Sequence, residues 1–598
     1  MEHNMILSAS GWRKVFAQSG NEQDTDNNIG LDNKRLCALI GETFAQYIIL
    51  KTAKKNPVVA IGMDSRPTGK EIAHVILKVL KHYGLDCRFL GISSAPEIMA
   101  YARTVDGFLY ISASHNPVAH NGIKFGLSDG GVLESGEAKI LIENFKNKCL
   151  ASDCESYCDS LLAIEDTTVD AVYNQSSLYK QKALETYRNF ITQVITGTQD
   201  KVIQKSVTDE IKSYLSKNPL TLVCDLNGSS RALSIDKEFL PSLGIDYVPF
   251  NDECGKIAHE IIPEPENLIY CADKMQQLQE TGTKSAVLGF MPDCDGDRGN
   301  LVYFDTEAET AKPIEAQKVF ALCVVAEGCY DIWLNKDDKI KRAVAVNCPT
   351  SMRIDDITKA LGEELFRGEV GEANIVNLAR AKRQEGYSVR ILGEGSNGGN
   401  ITYPSSVRDP IATVAAIIKL LTIRDSTAPD GSIREGLFHI WCQKSGQMNK
   451  YSPNFNLNQI ISTLPVYTTT GVSEKRAVLN VRSEDKGLLK QRFKSIFENQ
   501  WQNRKTELSV KYGIKSYRAD ITNGINEVHN PESWNNGNGG LKIRFLDKDN
   551  NNLAFIWMRP SGTEKVFRVM CDVKGDNREE EKDLLEWETQ MIQEADQL

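Results

Sequence analysis

The chain has 598 residues, of which 41% are hydrophobic and 25% are charged, and its formal net charge at pH 7 is −10. This composition is typical of an ordinary folded protein. The acidic balance excludes nucleic acid or an anionic membrane as the main partner, because either would need a basic face. The length predicts about three to five domains.

The cysteine content and the N-terminus indicate the compartment. The 14 cysteines are scattered and no two of them form a CxxC pair, which favours free thiols in a reducing environment. The N-terminus lacks a basic stretch followed by an apolar one, so no signal peptide is predicted. No apolar run approaches the roughly 18 residues of a transmembrane helix. We therefore expect a cytoplasmic protein.

The first part of the chain alternates between strands and helices. The predicted elements are a helix at 36–48, a strand at 57–62, a helix at 71–83, a strand at 87–90, a helix at 95–101 and a strand at 108–111. This alternation indicates an α/β domain with a parallel or mixed sheet. Residues 7–13 are expected to form a polar turn, and 133–215 are expected to form helices with an irregular polar segment.

Two further segments repeat this alternation of strands and helices, and the character of the sequence changes after about residue 425. The first predicted strand opens the stretch 220–228, and the others are 243–249, 286–291, 301–304, 342–346 and 389–392. The helices between and after them are 268–280, 314–326, 354–361 and 410–421. The tail combines a charged helix ending at 501, strands at 541–545 and 553–558, and a Glu-rich helix at 578–595. The predicted fold class is therefore α/β, with three similar mixed α/β domains at 1–205, 206–312 and 313–430 and a C-terminal α+β domain at 431–598.

The stretch 108–126 places polar groups directly after a buried strand. Ser114, His115 and Asn116 follow the apolar run, and Lys124 comes shortly afterwards. In α/β folds the reactive groups usually lie beyond the ends of such strands. The alternative is a polar turn with a capping serine, since serine is common at turns.

Three aspartates alternate after another predicted strand. Asp293, Asp295 and Asp297 would repel one another unless a cation neutralised them, and hard oxygen ligands suit Mg²⁺. An EF-hand is excluded, because its sixth position is Arg298 rather than Gly and its twelfth is Phe304 rather than Glu. The alternative is an acidic surface turn.

Two loops in the second half carry recognition groups. The glycine-rich loop 393–398 matches GxGxxG, but no helix opens at its glycines as a dinucleotide site requires, so Glu394 and Ser396 are better suited to the hydroxyls of a polyol. The loop 559–568 combines arginine, hydroxyls and a glycine turn into a predicted anion site, with a turn that caps a helix as the alternative. Its candidate residues are Arg559, Ser561, Gly562, Thr563 and Arg568.

These motifs, in this order, resemble those of the α-D-phosphohexomutases, the phosphoglucomutases and phosphomannomutases. Ser112-Ala-Ser-His-Asn-Pro117 resembles the phosphoserine loop, Asp293-Cys-Asp-Gly-Asp-Arg298 the metal loop, Gly393-Glu-Gly-Ser396 the sugar loop and Arg559-Pro-Ser-Gly-Thr-Glu564 the phosphate loop. The resemblance covers nearly the whole chain. It implies three similar α/β domains and a smaller fourth domain around one central cleft.

The resemblance also implies an activity: interconversion of hexose 1-phosphate and hexose 6-phosphate through phosphorylated Ser114 and a bisphosphorylated sugar. One Mg²⁺ ion would be bound by Ser114 and the three aspartates, and hexose 1,6-bisphosphate would be the activator. Arg298 and Lys124 would stabilise the transferring group, and either Lys124 or His115 would move the proton. Arg13 and Arg408 join the loop residues above as substrate-binding candidates.

Several positions depart from the family pattern and leave the sugar open. Asn397 and Gly398 follow Ser396, where many bacterial members have Gly-His, and Arg408-Asp409-Pro410 stands where Lys-Asp-Gly is common. Glucose and mannose are the expected sugars, the substrate is a hexose monophosphate, and a monomer or dimer is expected. The alternatives are a non-catalytic sugar-phosphate-binding homologue and a sugar phosphatase.

Overall fold

The computed structural model describes residues 1, 3–337, 339–397, 399–427, 431–561 and 566–598. The chain divides into two compact units. Unit 1 comprises residues 1–314 and 401–418, and unit 2 comprises residues 315–400 and 419–598. The predicted boundaries at 205, 312 and 430 stay predictions.

Unit 1 contains the first eleven strands and the first ten helices described. The strands are β1 (Ile6–Ser8), β2 (Gly11–Val15), β3 (Val58–Met63), β4 (Asp86–Ile92), β5 (Gly107–Ile111), β6 (His120–Leu127), β7 (Thr221–Asp225), β8 (Asp246–Phe250), β9 (Ala286–Pro292), β10 (Gly299–Asp305) and β11 (Thr310–Pro313). The helices are α1 (Gly30–Thr52), α2 (Gly69–His82), α3 (Ala95–Ala102), α4 (Ser135–Cys149), α5 (Cys154–Leu162), α6 (Asp170–Asn174), α7 (Ser176–Thr196), α8 (Lys201–Leu215), α9 (Asp236–Ser242) and α10 (Pro265–Glu280).

Two mixed sheets organise unit 1. The first has the order β1-β2-β6-β5-β3-β4 and the second has the order β11-β10-β9-β7-β8. In the first sheet β3 is parallel to both β4 and β5, whereas β6 is antiparallel to β5. Every residue of β5 is buried, because this apolar strand is central and hydrophobic clusters lie on both of its faces. The expected polar turn at 7–13 is wrong, since β1 and β2 pair there as an antiparallel hairpin.

Unit 2 contains the remaining elements, except that most of β15 and most of α14 lie in unit 1. Its strands are β12 (Arg342–Asn347), β13 (Glu364–Gly368), β14 (Ser388–Gly393), β15 (Asn400–Thr402), β16 (Ser426–Thr427), β17 (Ile433–Arg434), β18 (Tyr467–Thr469), β19 (Val478–Asn480), β20 (Ser516–Asn523), β21 (Asn526–His529), β22 (Leu541–Leu546), β23 (Asn552–Pro560) and β24 (Val566–Lys574). Its helices are α11 (Ala316–Leu334), α12 (Arg353–Leu361), α13 (Glu372–Gln384), α14 (Pro410–Thr422), α15 (Leu437–Lys444), α16 (Leu457–Ser462), α17 (Lys486–Tyr512) and α18 (Arg578–Gln597). The unit boundaries fall within β15 and α14.

The sheets of unit 2 differ in kind. β12 is parallel to both β13 and β14. The C-terminal sheet is antiparallel in the order β18-β24-β23-β22-β20-β21, and α17 and α18 pack on it around an aromatic core. The predicted fold class, α/β with a C-terminal α+β part, is confirmed. Among the helices in the described part of the chain, none is long and apolar enough to span a bilayer.

Candidate functional site

In unit 1, Ser114 lies on a tightly held loop just beyond β5. It is 3% exposed, and its φ of +55° falls in the left-handed region that few non-glycine residues adopt. The Ser114 amide donates to the Ser112 hydroxyl at 2.9 Å. From the other side, Arg66 Nη2 donates to the carbonyls of Ser114 and Asn116, each at 2.6 Å. The backbone of the loop is thus fixed independently of the Ser114 hydroxyl.

The three aspartates lie in the turn between β9 and β10, next to Ser114. All three are buried, and each places a carboxylate oxygen within 4.8 Å of the others. The Ser114 hydroxyl donates to Asp293 Oδ2 at 2.5 Å, and the Ser112 hydroxyl donates to Asp295 Oδ2 at 3.0 Å. The structure therefore brings together all four predicted metal-binding residues.

Two cationic side chains reach the same carboxylates. Lys124, on β6, donates from Nζ to Asp295 at 2.7 Å and to Asp297 at 3.2 Å. Arg408 Nη2 donates to Asp297 Oδ1 at 3.1 Å. Burial by itself would raise the pKa of Asp297, but Arg408, Lys124 and Arg298 outweigh that effect and hold this pKa below its usual value.

The properties of the other two aspartates, Asp293 and Asp295, suit the binding of a divalent cation. Burial raises the pKa of Asp293 well above its usual value, and the charges of Asp295 and Asp297 raise it further. Asp295 Oδ1 is buried and has no hydrogen-bond partner among the residues that the structure describes. Three converging hard oxygen ligands, one of them without a partner, suit Mg²⁺.

His115 lies beside Ser114 in a strongly cationic environment. The charge of Arg298, then burial, then the charge of Arg13 lower the pKa of His115 well below its usual value. The imidazole is therefore neutral at pH 7. Its Nδ1 is buried without a hydrogen-bond partner in the described ranges. The neutral imidazole has a free lone pair for a proton, but its lowered pKa makes it a weak base that releases the proton readily.

In unit 2, the predicted sugar loop follows β14. Glu394 is 5% exposed and accepts hydrogen bonds at Oε1 from Asn347 Nδ2 at 3.0 Å and from the Gly371 amide at 2.8 Å. Ser396 is also nearly buried, in a short 3₁₀ turn. These contacts fix the direction of the Glu394 carboxylate.

The predicted phosphate loop begins at the end of β23. Arg559 Nε lies 2.9 Å from Glu369 Oε1, and Arg568 is opposite Arg559 in the β23–β24 pair. The Ser561 amide donates to the Val566 carbonyl at 2.8 Å, which closes the turn. The other two candidates, Gly562 and Thr563, lie outside the described residues.

Comparison with known proteins shows what the chain is similar to. Models described as "phosphoglucomutase/phosphomannomutase, alpha/beta/alpha domain I" and "domain III" match residues 10–150 and 325–433. A phosphoglucomutase/phosphomannomutase of Thermococcus kodakarensis is 23% identical over 563 residues, which cover 93% of this chain and 94% of the relative. The chain therefore contains matches to domains I and III of the phosphoglucomutase/phosphomannomutase family, and it is similar to one such protein over nearly its whole length.

Other members of the family are similar over shorter or equal lengths. A phosphoglucosamine mutase of Dictyoglomus thermophilum is 26% identical over 357 residues, 59% of this chain and 67% of the relative. Among solved structures, the pp63/parafusin phosphoglucomutase of Paramecium has a TM-score of 0.60 at 13% identity, over 99% of this chain and 95% of that one. A Burkholderia thailandensis family protein has a TM-score of 0.58 at 16% identity, over 99% and 96% of the two chains. These two structures share the fold.

The curated relatives are mutases, which confirms the expected enzyme class, an intramolecular phosphotransferase, while the roles of single residues stay predictions. The sequence reading missed two residues that hold predicted site groups. Arg231 contacts the aspartate loop and Glu369 contacts Arg559. Each follows the end of a strand, which is the one local signal that marks them, but their partners are distant in the sequence.

Proposed function

We propose that the protein is a phosphohexomutase that interconverts hexose 1-phosphate and hexose 6-phosphate through a phosphoserine at Ser114 and a bisphosphorylated sugar. The observation that carries this proposal is the 2.5 Å contact between the Ser114 hydroxyl and Asp293, inside a cluster of three aspartates. Phosphoryl transfer depends mainly on alignment and charge neutralisation. A hydroxyl held against a cation-binding cluster supplies both.

Asp293, Asp295 and Asp297 would hold one Mg²⁺ ion, together with an oxygen of the phosphorylated Ser114. Bound there, Mg²⁺ supplies Lewis-acid stabilisation of the transferring phosphoryl group. Lys124 and Arg298 add positive charge on the protein side of the group. Arg66 keeps the Ser114 backbone in place during transfer, because its donors are committed to loop carbonyls.

In the forward step the bond from Ser114 Oγ to phosphorus breaks as the sugar hydroxyl oxygen bonds to phosphorus. The hydroxyl proton passes to His115, whose buried Nδ1 has no hydrogen-bond partner among the described residues. The lowered pKa makes His115 a weak base, so it gives the proton on to the leaving Ser114 oxygen. Lys124 is the weaker acceptor, since its ammonium donates to Asp295 and Asp297. After the bisphosphate turns over, Ser114 Oγ attacks the other phosphate, and its proton passes through His115 to the sugar oxygen that leaves.

We propose the following roles in substrate binding. Arg13 and Arg408 add positive charge around the Ser114 site, as their effect on the pKa of His115 indicates. In unit 2, Glu394 and Ser396 bind sugar hydroxyls. The phosphate that does not react is bound by the loop at 559–568, through Arg559, Ser561, Gly562, Thr563 and Arg568.

The names of the relatives define the sugars to test. They are phosphoglucosamine mutases and a phosphoglucomutase/phosphomannomutase. We therefore include glucosamine phosphate beside glucose and mannose phosphates as substrates, each with its 1,6-bisphosphate as activator.

The test is incubation of the full chain with glucose 1-phosphate, Mg²⁺ and a trace of glucose 1,6-bisphosphate, repeated with the mannose and glucosamine compounds. Isomerised product is the expected result. Free phosphate would instead identify a phosphatase, and no change with any sugar would identify a non-catalytic binder. Ser114→Ala should abolish turnover, whereas the exposed control Ser128→Ala should retain it. Near-normal turnover by Ser114→Ala would overturn the assignment.

A further inference from the structure

The backbone of the aspartate loop is anchored at three consecutive carbonyls. The Cys294 carbonyl accepts from the amide and hydroxyl of Ser230, both at 3.0 Å, and the Asp295 carbonyl accepts from the Ala95 amide at 2.8 Å. The Gly296 carbonyl accepts from Arg231 Nη1 at 3.2 Å. The contact between Arg231 and Gly296 lies at the apex of the loop, between the predicted metal ligands Asp295 and Asp297.

The Arg231 side chain is 1% exposed, and all of its N–H groups donate hydrogen bonds. Nε and Nη2 donate to the two carboxylate oxygens of Asp236 at 2.8 and 3.0 Å. Nη1 also donates to Asp409 Oδ1 at 3.4 Å, and Nη2 donates to the Tyr187 hydroxyl at 3.3 Å. These contacts and the one to Gly296 use all five guanidinium donors, so the group has one orientation.

The side chain of Arg231 also sets the shape of the loop sterically. Gly296 has a φ of +69°, and a Cβ atom placed on it would lie 2.4 Å from Arg231 Cγ. The stem of Arg231 therefore packs against the loop apex while its guanidinium holds the carbonyl. Any shift of Arg231 would move the apex that joins Asp295 to Asp297.

The hydrogen-bond network around Arg231 ends at Asp409, and the residue next to Asp409 contacts an aspartate of the loop. Asp409 accepts from the Tyr187 hydroxyl at 2.7 Å and from the Ile411 amide at 2.9 Å. Its neighbour Arg408 donates to the Asp297 carboxylate. Two adjacent residues therefore act on the loop. Arg408 contacts the Asp297 carboxylate directly, and Asp409 acts through Arg231, which donates to the Gly296 carbonyl.

We infer that Arg231, oriented by Asp236, Asp409 and Tyr187, is a positioning residue that shapes the aspartate loop for metal binding before any metal arrives. The inference rests on the proposed metal role of the three aspartates. Three carboxylates held this close repel one another, so a rigid backbone anchor is what keeps them convergent in the metal-free protein. Outer groups that orient ligands typically change metal affinity by about 10–100-fold when they are mutated.

The test is Mn²⁺ binding to the full, unphosphorylated chain, measured from the free Mn²⁺ signal in electron paramagnetic resonance without any turnover. Arg231→Lys keeps the charge but offers three donors instead of five, and it should weaken binding about 10-fold. Tyr187→Phe removes one hydroxyl and should weaken binding by a smaller factor. Arg188→Lys, which changes an exposed arginine on α7, is the matched control and should bind Mn²⁺ normally.

A second readout separates positioning from catalysis. Activity of Arg231→Lys should need a correspondingly higher Mg²⁺ concentration, with kcat largely restored at saturation. A folded Arg231→Lys protein with the wild-type Kd for Mn²⁺ would overturn the inference. If that variant does not fold, an unchanged Kd in Tyr187→Phe would overturn it. Failure of the wild type to bind Mn²⁺, or retained binding in Asp295→Asn, would instead overturn the proposed metal site.

Discussion

The Nε atom of Arg559 lies 2.9 Å from a carboxylate oxygen of Glu369, which is 6% exposed. The same carboxylate accepts from the Thr522 hydroxyl at 2.7 Å and from the amides of Gly540 at 2.6 Å and Val370 at 2.8 Å. These three hydrogen bonds and the ion pair with Arg559 give Glu369 a fixed orientation. It therefore sets the position from which Arg559 would meet a phosphate.

Glu369→Gln should displace Arg559. Thr522 and Gly540 both donate to Oε2 and will select the amide oxygen, so the amide nitrogen will face the donating Val370 amide and will replace the anionic oxygen of the ion pair with Arg559. We expect KM for the hexose phosphate to rise about 10-fold, which corresponds to ~1.4 kcal/mol of binding. The measurement is steady-state kinetics on the isomerisation reaction.

The control for this substitution is Glu364→Gln, at an exposed position on β13. It removes the same charge without touching Arg559 and should leave KM unchanged. An unchanged KM in a folded Glu369→Gln protein would show that Arg559 does not depend on this carboxylate.

Asp295→Asn should abolish both metal binding and turnover. Asp295 contributes a buried oxygen that has no hydrogen-bond partner in the described part of the chain. Replacing one of three anionic ligands weakens the attraction for a divalent cation and leaves an amide in its place. Mg²⁺ should therefore raise the thermal unfolding temperature of the wild type but not that of Asp295→Asn. The exposed substitution Asp273→Asn should keep the full Mg²⁺ response. An equal response in Asp295→Asn would contradict the metal assignment.

Lys542 on β22 should make stability depend on pH. It is fully buried, its Nζ has no hydrogen-bond partner within the described residues, and it lies 4.0 Å from the centre of the Phe555 ring. Burial first, and then the charge of Arg367, lower the pKa of Lys542 from 10.5 to about 7. The unfolded chain therefore binds the proton between pH 7 and pH 10.5, while the folded protein largely does not.

Over that window stability should rise with pH, at no more than about 1.4 kcal/mol per pH unit from this group. Lys542→Met removes the titration, so it should stabilise the protein most at pH 7 and progressively less toward pH 10. Thermal unfolding of both proteins at pH 7, 8, 9 and 10 measures the difference. A difference that did not change with pH would show that Lys542 is protonated in the folded state.

The sequence predicted the buried strands well, because runs such as 108–111 and 286–291 are continuous and apolar. It failed for β1 and β2, which are only three and five residues long, and for β6, which begins with His120, Asn121 and Gly122 rather than with apolar residues. β20 was missed although polar and apolar residues alternate along it as in a half-buried strand, and β24 was missed as well.

Part of the candidate site could also be predicted from the sequence, for a different reason. The serine and aspartate motifs are local, so their chemistry is visible in a few consecutive residues. Arg231 and Glu369 act through partners such as Asp409 and Arg559, which are 178 and 190 residues away. Contacts at that separation are set by the tertiary fold and have no local pattern.

The backbone conformation of Ser114 constrains which amino acid is able to carry the phosphoryl group. At a φ of +55° a β-branched side chain crowds its own backbone, so threonine is penalised where serine is tolerated. Threonine is therefore not expected to replace serine at this position, although the hydroxyl groups of the two amino acids have similar reactivity. Ser114→Thr should lose activity through geometry alone, and alternatives with a hydroxyl should be sought among unbranched side chains.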